Sequence, residues 1–294
     1  MDELALRGRQ VLITGATNGI GLAAAEGLAA QGANVAIVGR SASRTKAAEA
    51  LIRASAAPGV EVSTHLADLA SQAAVRKLAA DILARYGKLD VLVNNAGAMH
   101  TTRQVSADGI ELTWAVNHLA PFLLTKLLLD RLKASAPSRI ITTASDAHLG
   151  GATIAFDDLN AERSYRGFGR YKETKLANIL FTSELARRLE GSNVTAHSFH
   201  PGLVASGFNR NNGLLMDMAM LLLRPISRNV QKGAETLVWL ATSPDVASTT
   251  GRYYVDMQSR LPSPQAQDIA AARRLWEISE AQCAGVLSRN EGGS

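Results

Sequence analysis

The stretch Gln10-Val11-Leu12-Ile13-Thr14-Gly15-Ala16-Thr17-Asn18-Gly19-Ile20-Gly21 carries the reading of the fold. Its first five residues form an apolar, β-branched run of strand type, and the glycines after it mark a tight turn. Ala-rich sequence of helical character then continues to about Gln31. Such a strand–turn–helix lets backbone approach an anion closely and aims the first helical amides at it. Gly15, Thr17, Asn18, Gly19, Ile20 and Gly21 are therefore candidate phosphate contacts. A bare glycine turn without ligand is the bland alternative.

The same alternation repeats outward along the chain. Strand-like runs cover about 34–39, 60–66, 89–93, 139–143, 194–199 and 252–255. Helical stretches lie between them, one running through about 56 and others at about 71–86, 109–134, 171–189 and 232–241, with a polar C-terminal helix at about 266–284. Strands alternating with helices predict an α/β fold, a doubly wound parallel sheet flanked by helices. Its ligand crevice lies at the carboxyl ends of the strands. No linker or repeat interrupts residues 1–294, which read as one domain. The tail, about 289–294, reads as frayed.

Composition narrows the function classes. Hydrophobic residues make up 47% of the 294 and charged residues 19%, which excludes intrinsic disorder. The single cysteine, Cys283, can form neither an internal disulfide nor a cysteine cage, so a reducing, cytoplasmic setting is the default. No secretory signal is read at Met1-Asp2-Glu3-Leu4, and no window holds about 18 uninterrupted apolar residues. A net charge of +5 spread over this length gives no focused patch for nucleic acid. Among the six histidines, His197 and His200 fall on opposite faces of a strand, and we assign no metal site.

The second strand ends Val38-Gly39-Arg40-Ser41, with no acidic residue between Val35 and Ala48. In a dinucleotide-binding sheet a carboxylate here selects the free ribose of NAD, whereas an arginine accommodates a 2′-phosphate. Arg40, with Ser41 beside it and Arg44 and Lys46 as helpers, therefore predicts NADP. A solvated charged loop is the competing reading.

The remaining motifs fall in order. Asp68-Leu69 follows the third strand, Asn94-Asn95-Ala96-Gly97 the fourth, and Asn117 lies in the long helix. Ser145 follows the fifth strand, Tyr171-x-x-x-Lys175 opens the next helix, and Pro201-Gly202 follows the sixth. This set resembles the short-chain dehydrogenase/reductase family over nearly the whole chain. Ala115-Val116-Asn117-His118-Leu119, Ser145-Asp146-Ala147-His148 and Tyr171-Lys172-Glu173-Thr174-Lys175-Leu176-Ala177-Asn178 are similar to its retinol-dehydrogenase-like branch. The resemblance implies a single Rossmann-type domain with Asn117, Ser145, Tyr171 and Lys175 as catalytic residues. It further implies that Asp68 and Leu69 meet the adenine and that Asn95, Ala96 and Gly97 pass its ribose. Pro201, Gly202, Val204 and Ser206 would flank the nicotinamide, Ser206 standing where the family often has threonine. Tyr171 and Lys175 would contact the nicotinamide ribose side, and Asn117 would support a water-linked proton path.

The spacing of Tyr171 and Lys175 has its own physics, because residues four apart share a helix face. Bringing a tyrosine from a pKa near 10 to neutrality takes about 4 kcal/mol. An ammonium at ~4 Å supplies about that at an effective dielectric near 20. Tyr171 would then pass a proton to a carbonyl oxygen, or take one from an alcohol, while Ser145 hydrogen-bonds that oxygen. Tyr165 offers no such arrangement, since Gly169 stands four residues on. The expected function is an NADP(H)-dependent oxidoreductase acting on a lipophilic carbonyl or alcohol. A catalytically idle NADP(H) sensor on the same fold is the alternative.

Two segments stay open at this point. Residues 214–223, nearly all apolar between Gly213 and Arg224-Pro225, read as core helix, substrate lid or membrane-surface patch. Three methionines favour a lid, placed at about 205–228. The interval from Ser145 to Tyr171, with Gly150-Gly151 and Arg163 to Arg170, is long enough to overhang the site or alter an oligomer surface. Oligomeric state is therefore left undetermined.

Overall fold

Side-chain alternation along eight short strands divides the molecule into two apolar layers. The computed structural model describes residues 5–203 and 228–284. The strands are β1 (Gln10–Thr14), β2 (Asn34–Gly39), β3 (Val62–Leu66), β4 (Val91–Asn94), β5 (Ser138–Thr143), β6 (Val194–His200), β7 (Tyr253–Val255) and β8 (Gln258–Arg260). They form one sheet in the order β3-β2-β1-β4-β5-β6-β7-β8, parallel except for β8. The register sets Ala36, Leu12, Leu92, Ile140 and Ala196 in one row across five strands. The next row holds Ile37, Ile13, Val93 and Ile141, which point to the opposite face.

Each row has its own layer of helices. The first packs against α3 (Gln72–Arg85), α4 (Leu112–Ala134), α5 (Gly167–Arg188) and α7 (Ile269–Ala284). The second packs against α1 (Gly19–Ala30), α2 (Ala42–Ser55) and α6 (Val230–Thr242). Truncating a fully buried residue of either row, such as Leu92, is expected to cost about 2–5 kcal/mol. Helix α4 is long and apolar enough to span a membrane by composition, yet 72% of its most apolar window is buried within the fold. It is a core helix here.

α7 closes the back of α4 and α5. Trp276 stands 5.0 Å from the Phe122 ring and 6.0 Å from Phe181. At its edges, Lys126 pairs with Glu280 at 2.5 Å, and Trp114 Nε1 donates to Gln282 Oε1 at 3.1 Å. His118 Nε2 meets Ser279 Oγ at 2.8 Å, and burial holds its pKa down at about 3.

Four sequence expectations need adjustment. The long helix begins at Leu112, not near Gly109, because Ser106–Gly109 forms a turn bridged by Val105 and Glu111. α5 begins at Gly167, so Tyr171 lies in its second turn and does not open it. The strands expected at 60–66 and 89–93 begin later, at Val62 and Val91. β8 was not expected, since Gln258, Ser259 and Arg260 are all exposed and give no apolar alternation. The proposed lid, the 214–223 run, Val204, Ser206 and the tail lie outside the described residues.

Candidate active site

The strand order reverses between β1 and β4, which opens a crevice at their carboxyl ends. Every described candidate from the sequence gathers there. Gly15–Gly21 follows β1, Arg40 and Ser41 follow β2, Asp68 and Leu69 follow β3, and Asn95, Ala96 and Gly97 follow β4. Ser145 follows β5, while Pro201 and Gly202 follow β6.

The β1 side of the crevice is built almost wholly from backbone. Thr14 Oγ1 accepts from the N–H groups of Asn95 and Ala96, at 3.0 and 3.1 Å. The Asn95 amide donates to Thr14 O and Gly15 O, at 3.1 and 3.2 Å, and its oxygen accepts from Thr143 Oγ1 at 3.3 Å. Asn95 therefore ties the ends of β1, β4 and β5 together. Gly21 sits under this knot, where an added Cβ would lie 2.4 Å from Gly15 O and 2.5 Å from Asn95 Nδ2. Only glycine lets α1 start so close to the turn. Asn18 occupies the N-cap position without a side-chain bond, which leaves the first-turn amides uncapped by it.

Farther out, Arg40 is exposed, and its charge reaches far enough across to help lower the pKa of His100. Among the described residues it has no carboxylate partner within ion-pair distance. Ser41 is the N-cap of α2, its carbonyl taking Thr45 Oγ1 at 2.8 Å. Asp68 is exposed and caps its own turn through Ala70 N at 3.1 Å. Leu69 turns partly into the core beside Ala96, Val116 and Ala120.

The other side of the crevice is built from side chains. Ser145 is the N-cap of a short 3-10 turn, Asp146–Leu149, with Oγ accepting from Ala147 N at 3.1 Å. The same hydroxyl acts on the Tyr171 phenol, pulling its pKa down. Behind it, Ser263 N donates to His148 Nε2 at 3.2 Å, so His148 Nδ1 carries the proton donated to Ser145 O at 2.7 Å. Burial keeps this imidazole neutral by lowering its pKa. Asp146 is held by Tyr253 Oη at 2.6 Å.

Lys175 lies one helical turn beyond Tyr171, buried, with Nζ donating to Thr143 O at 3.1 Å. Its Nζ stands 5.4 Å from the centre of the Tyr171 ring. Asn178 Nδ2 donates to the same Thr143 carbonyl at 3.1 Å. The spacing predicts that the ammonium lowers the phenol's pKa. In the structure burial dominates: it pushes the Tyr171 hydroxyl up to about 12, with Ser145 pulling the other way. Burial also pushes Lys175 down to about 8.

Asn117 sits in a π-helical turn, Ala115–Leu119, within α4. Its amide donates to Ala98 O at 2.8 Å and Thr174 Oγ1 at 3.0 Å, while Oδ1 accepts from Ala98 N at 2.7 Å. It thereby brackets the loop after β4 to α5.

Three charged residues missed by the sequence reading hold these helices together. Glu111 takes Thr113 N and Trp114 N at 2.9 Å each, capping α4, and accepts from Arg170 Nε at 2.7 Å. Arg170 Nη1 donates to Glu173 Oε2 at 2.7 Å, and Nη2 donates to Leu159 O. The guanidinium also lies 4.6 Å over the Trp114 ring. All three are buried. The available signal was Arg170 and Glu173 three apart, flanking the tyrosine on one helix.

The chain matches the description short chain dehydrogenase over residues 9–214. It is similar to retinol dehydrogenase 14 of Mus musculus, 42% identical and covering 97% of this chain and 89% of that protein. Retinol dehydrogenase 13 of Homo sapiens is 40% identical, covering 95% of this chain and 85% of its own length. Among solved structures, a short chain dehydrogenase from Burkholderia cenocepacia J2315 in complex with NADP is 28% identical. It has a TM-score of 0.68 and covers 90% of this chain and 100% of its own. Sheet order, the arrangement around Tyr171 and these likenesses agree: the chain belongs to the short chain dehydrogenase family, as a retinol-dehydrogenase-like oxidoreductase.

Proposed function

We propose that this protein is an NADP(H)-dependent oxidoreductase that interconverts a carbonyl and an alcohol on a lipophilic small molecule. The observation that carries the reading is Lys175, fixed to Thr143 O with its Nζ 5.4 Å from the centre of the Tyr171 ring, together with the Ser145 hydroxyl that acts on the same phenol. The names of the relatives make retinol and retinal the first pair to test.

The residues present fit a phosphorylated dinucleotide. The close packing at Gly21 brings the start of α1 against the turn after β1, and that start, uncapped by Asn18, favours an anion. Arg40 supplies an exposed cation where a 2′-phosphate would need one. Asn95, Ala96, Gly97, Pro201 and Gly202 line the path onward. When bound, the reduced nicotinamide supplies the hydride. Tyr171 holds its proton through neutral pH, and gives it to the carbonyl oxygen as charge develops there. Ser145 Oγ hydrogen-bonds the same oxygen. The Lys175 ammonium adds positive charge beside Tyr171 and would hold a ribose hydroxyl of the bound dinucleotide. Asn117 and His148 keep these groups in place.

The test is NADPH oxidation with retinal and with simpler aldehydes, in wild type and in Tyr171→Phe. Loss of the proton donor should cut kcat by about 10²–10⁴ while NADPH still binds. Dinucleotide binding with no turnover of any carbonyl would leave the sensor reading. Full activity in Tyr171→Phe would move the proton transfer elsewhere.

A further inference from the structure

Phe168 is an aromatic side chain with 60% of its surface exposed, unusual for a residue on a helix whose inner face is core. It precedes Tyr171 by one turn of α5. The two rings are nearly parallel, 22° apart, with centres 6.3 Å from each other. An offset stack of this kind presents a flat apolar surface beside Tyr171.

The ring is also firmly placed. Gly167 packs so tightly that an added Cβ would lie 2.3 Å from His100 O and 2.8 Å from Thr101 Cα. Two residues later in the helix, buried Arg170 pins the same turn to Glu111 and Leu159 O. Lys172 Nζ donates to Gly150 O at 2.5 Å and stands 5.9 Å over the Phe168 ring. Leu149, 55% exposed, ends the turn that follows Ser145, and Leu203, 46% exposed, follows Pro201-Gly202. Large apolar side chains are thus left open on each segment that carries the site.

From this geometry we infer that Phe168 is a specificity-determining residue. Its ring receives the carbon chain next to the reacting carbonyl and favours a flat, conjugated chain over a flexible saturated one. A conjugated chain is already planar, so it stacks on a fixed ring without losing torsional freedom. The inference rests on the carbonyl-reducing reading above.

The test compares 2,4-decadienal with decanal, two aldehydes of equal length, using NADPH and Phe168→Ala, Phe168→Leu and Phe168→Trp. Taking the ratio of kcat/KM values, each relative to wild type, cancels their intrinsic reactivity. Phe168→Ala should lower the decadienal/decanal ratio about three- to tenfold, chiefly through KM. Phe168→Leu, apolar but not flat, should lower it as well, and Phe168→Trp should restore it. Equal losses for the two aldehydes, or no loss, would overturn the assignment. Dissociation constants for both aldehydes, measured on NADPH-loaded Tyr171→Phe with and without Phe168→Ala, read the same preference without turnover. They keep the outcome separate from any failure of the catalytic reading.

Discussion

The two sides of the crevice are built from opposite materials. The β1 side consists of glycines, main-chain hydrogen bonds and two short polar side chains, with its cations Arg40, Arg44 and Lys46 exposed. The α5 side consists of buried charge, with Glu111, Arg170, Glu173 and Lys175 all at or below 9% exposure. Each side is therefore sensitive to a different kind of change. Close backbone packing resists added volume and is indifferent to surface charge. A buried ionic cluster resists removal of any one partner, because the charges left behind have no water.

The sharpest way to break this contrast is Arg170→Met. It leaves the carboxylates of Glu111 and Glu173 buried without their cation, and should destabilise the fold by about 3–5 kcal/mol. Denaturant midpoints measure it, and a cost under about 1 kcal/mol would mean that the cluster does not hold the α5 side. Arg40→Ala makes the opposite case. It should leave the denaturation midpoint unchanged, yet raise the KM for NADPH relative to NADH through loss of about 1.5–3 kcal/mol. Comparable kcat/KM for both dinucleotides in wild type would remove Arg40 from that role.

The smallest effect concerns pH. Burial sets Lys175 at about 8 and Tyr171 at about 12, so the first of the two to titrate on raising pH is the lysine. Carbonyl reduction that needs the ammonium is fully present below pH 8 and falls as pH rises through it, by about tenfold at pH 9. The pH profile of kcat/KM checks this, and Lys175→Arg should shift that limb upward. An unshifted limb would assign the titration to another group.

Much of this architecture was legible because it is periodic or local. β1 and β2 are largely apolar runs buried on both faces, and Tyr171 and Lys175 declare themselves by helical spacing. Gly167 and Gly169 are poor helix formers, and the sequence gives no signal for the first turn of α5. In the structure Gly167 is small because the chain at His100 crosses it. The charged cluster was hidden for another reason. Glu111 and Arg170 stand 59 residues apart in sequence, and only the packing of α4 on α5 brings them together. The opposing shifts of Tyr171 and Lys175 were not readable either, since spacing reports proximity but not the loss of water around both groups.

The covering of α4 and α5 by α7 has a consequence for how the protein is made. Phe122 and Phe181, which meet Trp276, lie about 90 or more residues upstream of it. While the ribosome is still translating the sequence between them, those rings have no partner from α7, and the apolar back of the catalytic helix is open. That layer closes only after Ile269–Ala284 has emerged. Until then the nascent chain presents a sticky surface, and a chain released before that point would be a natural client for chaperones or proteolysis.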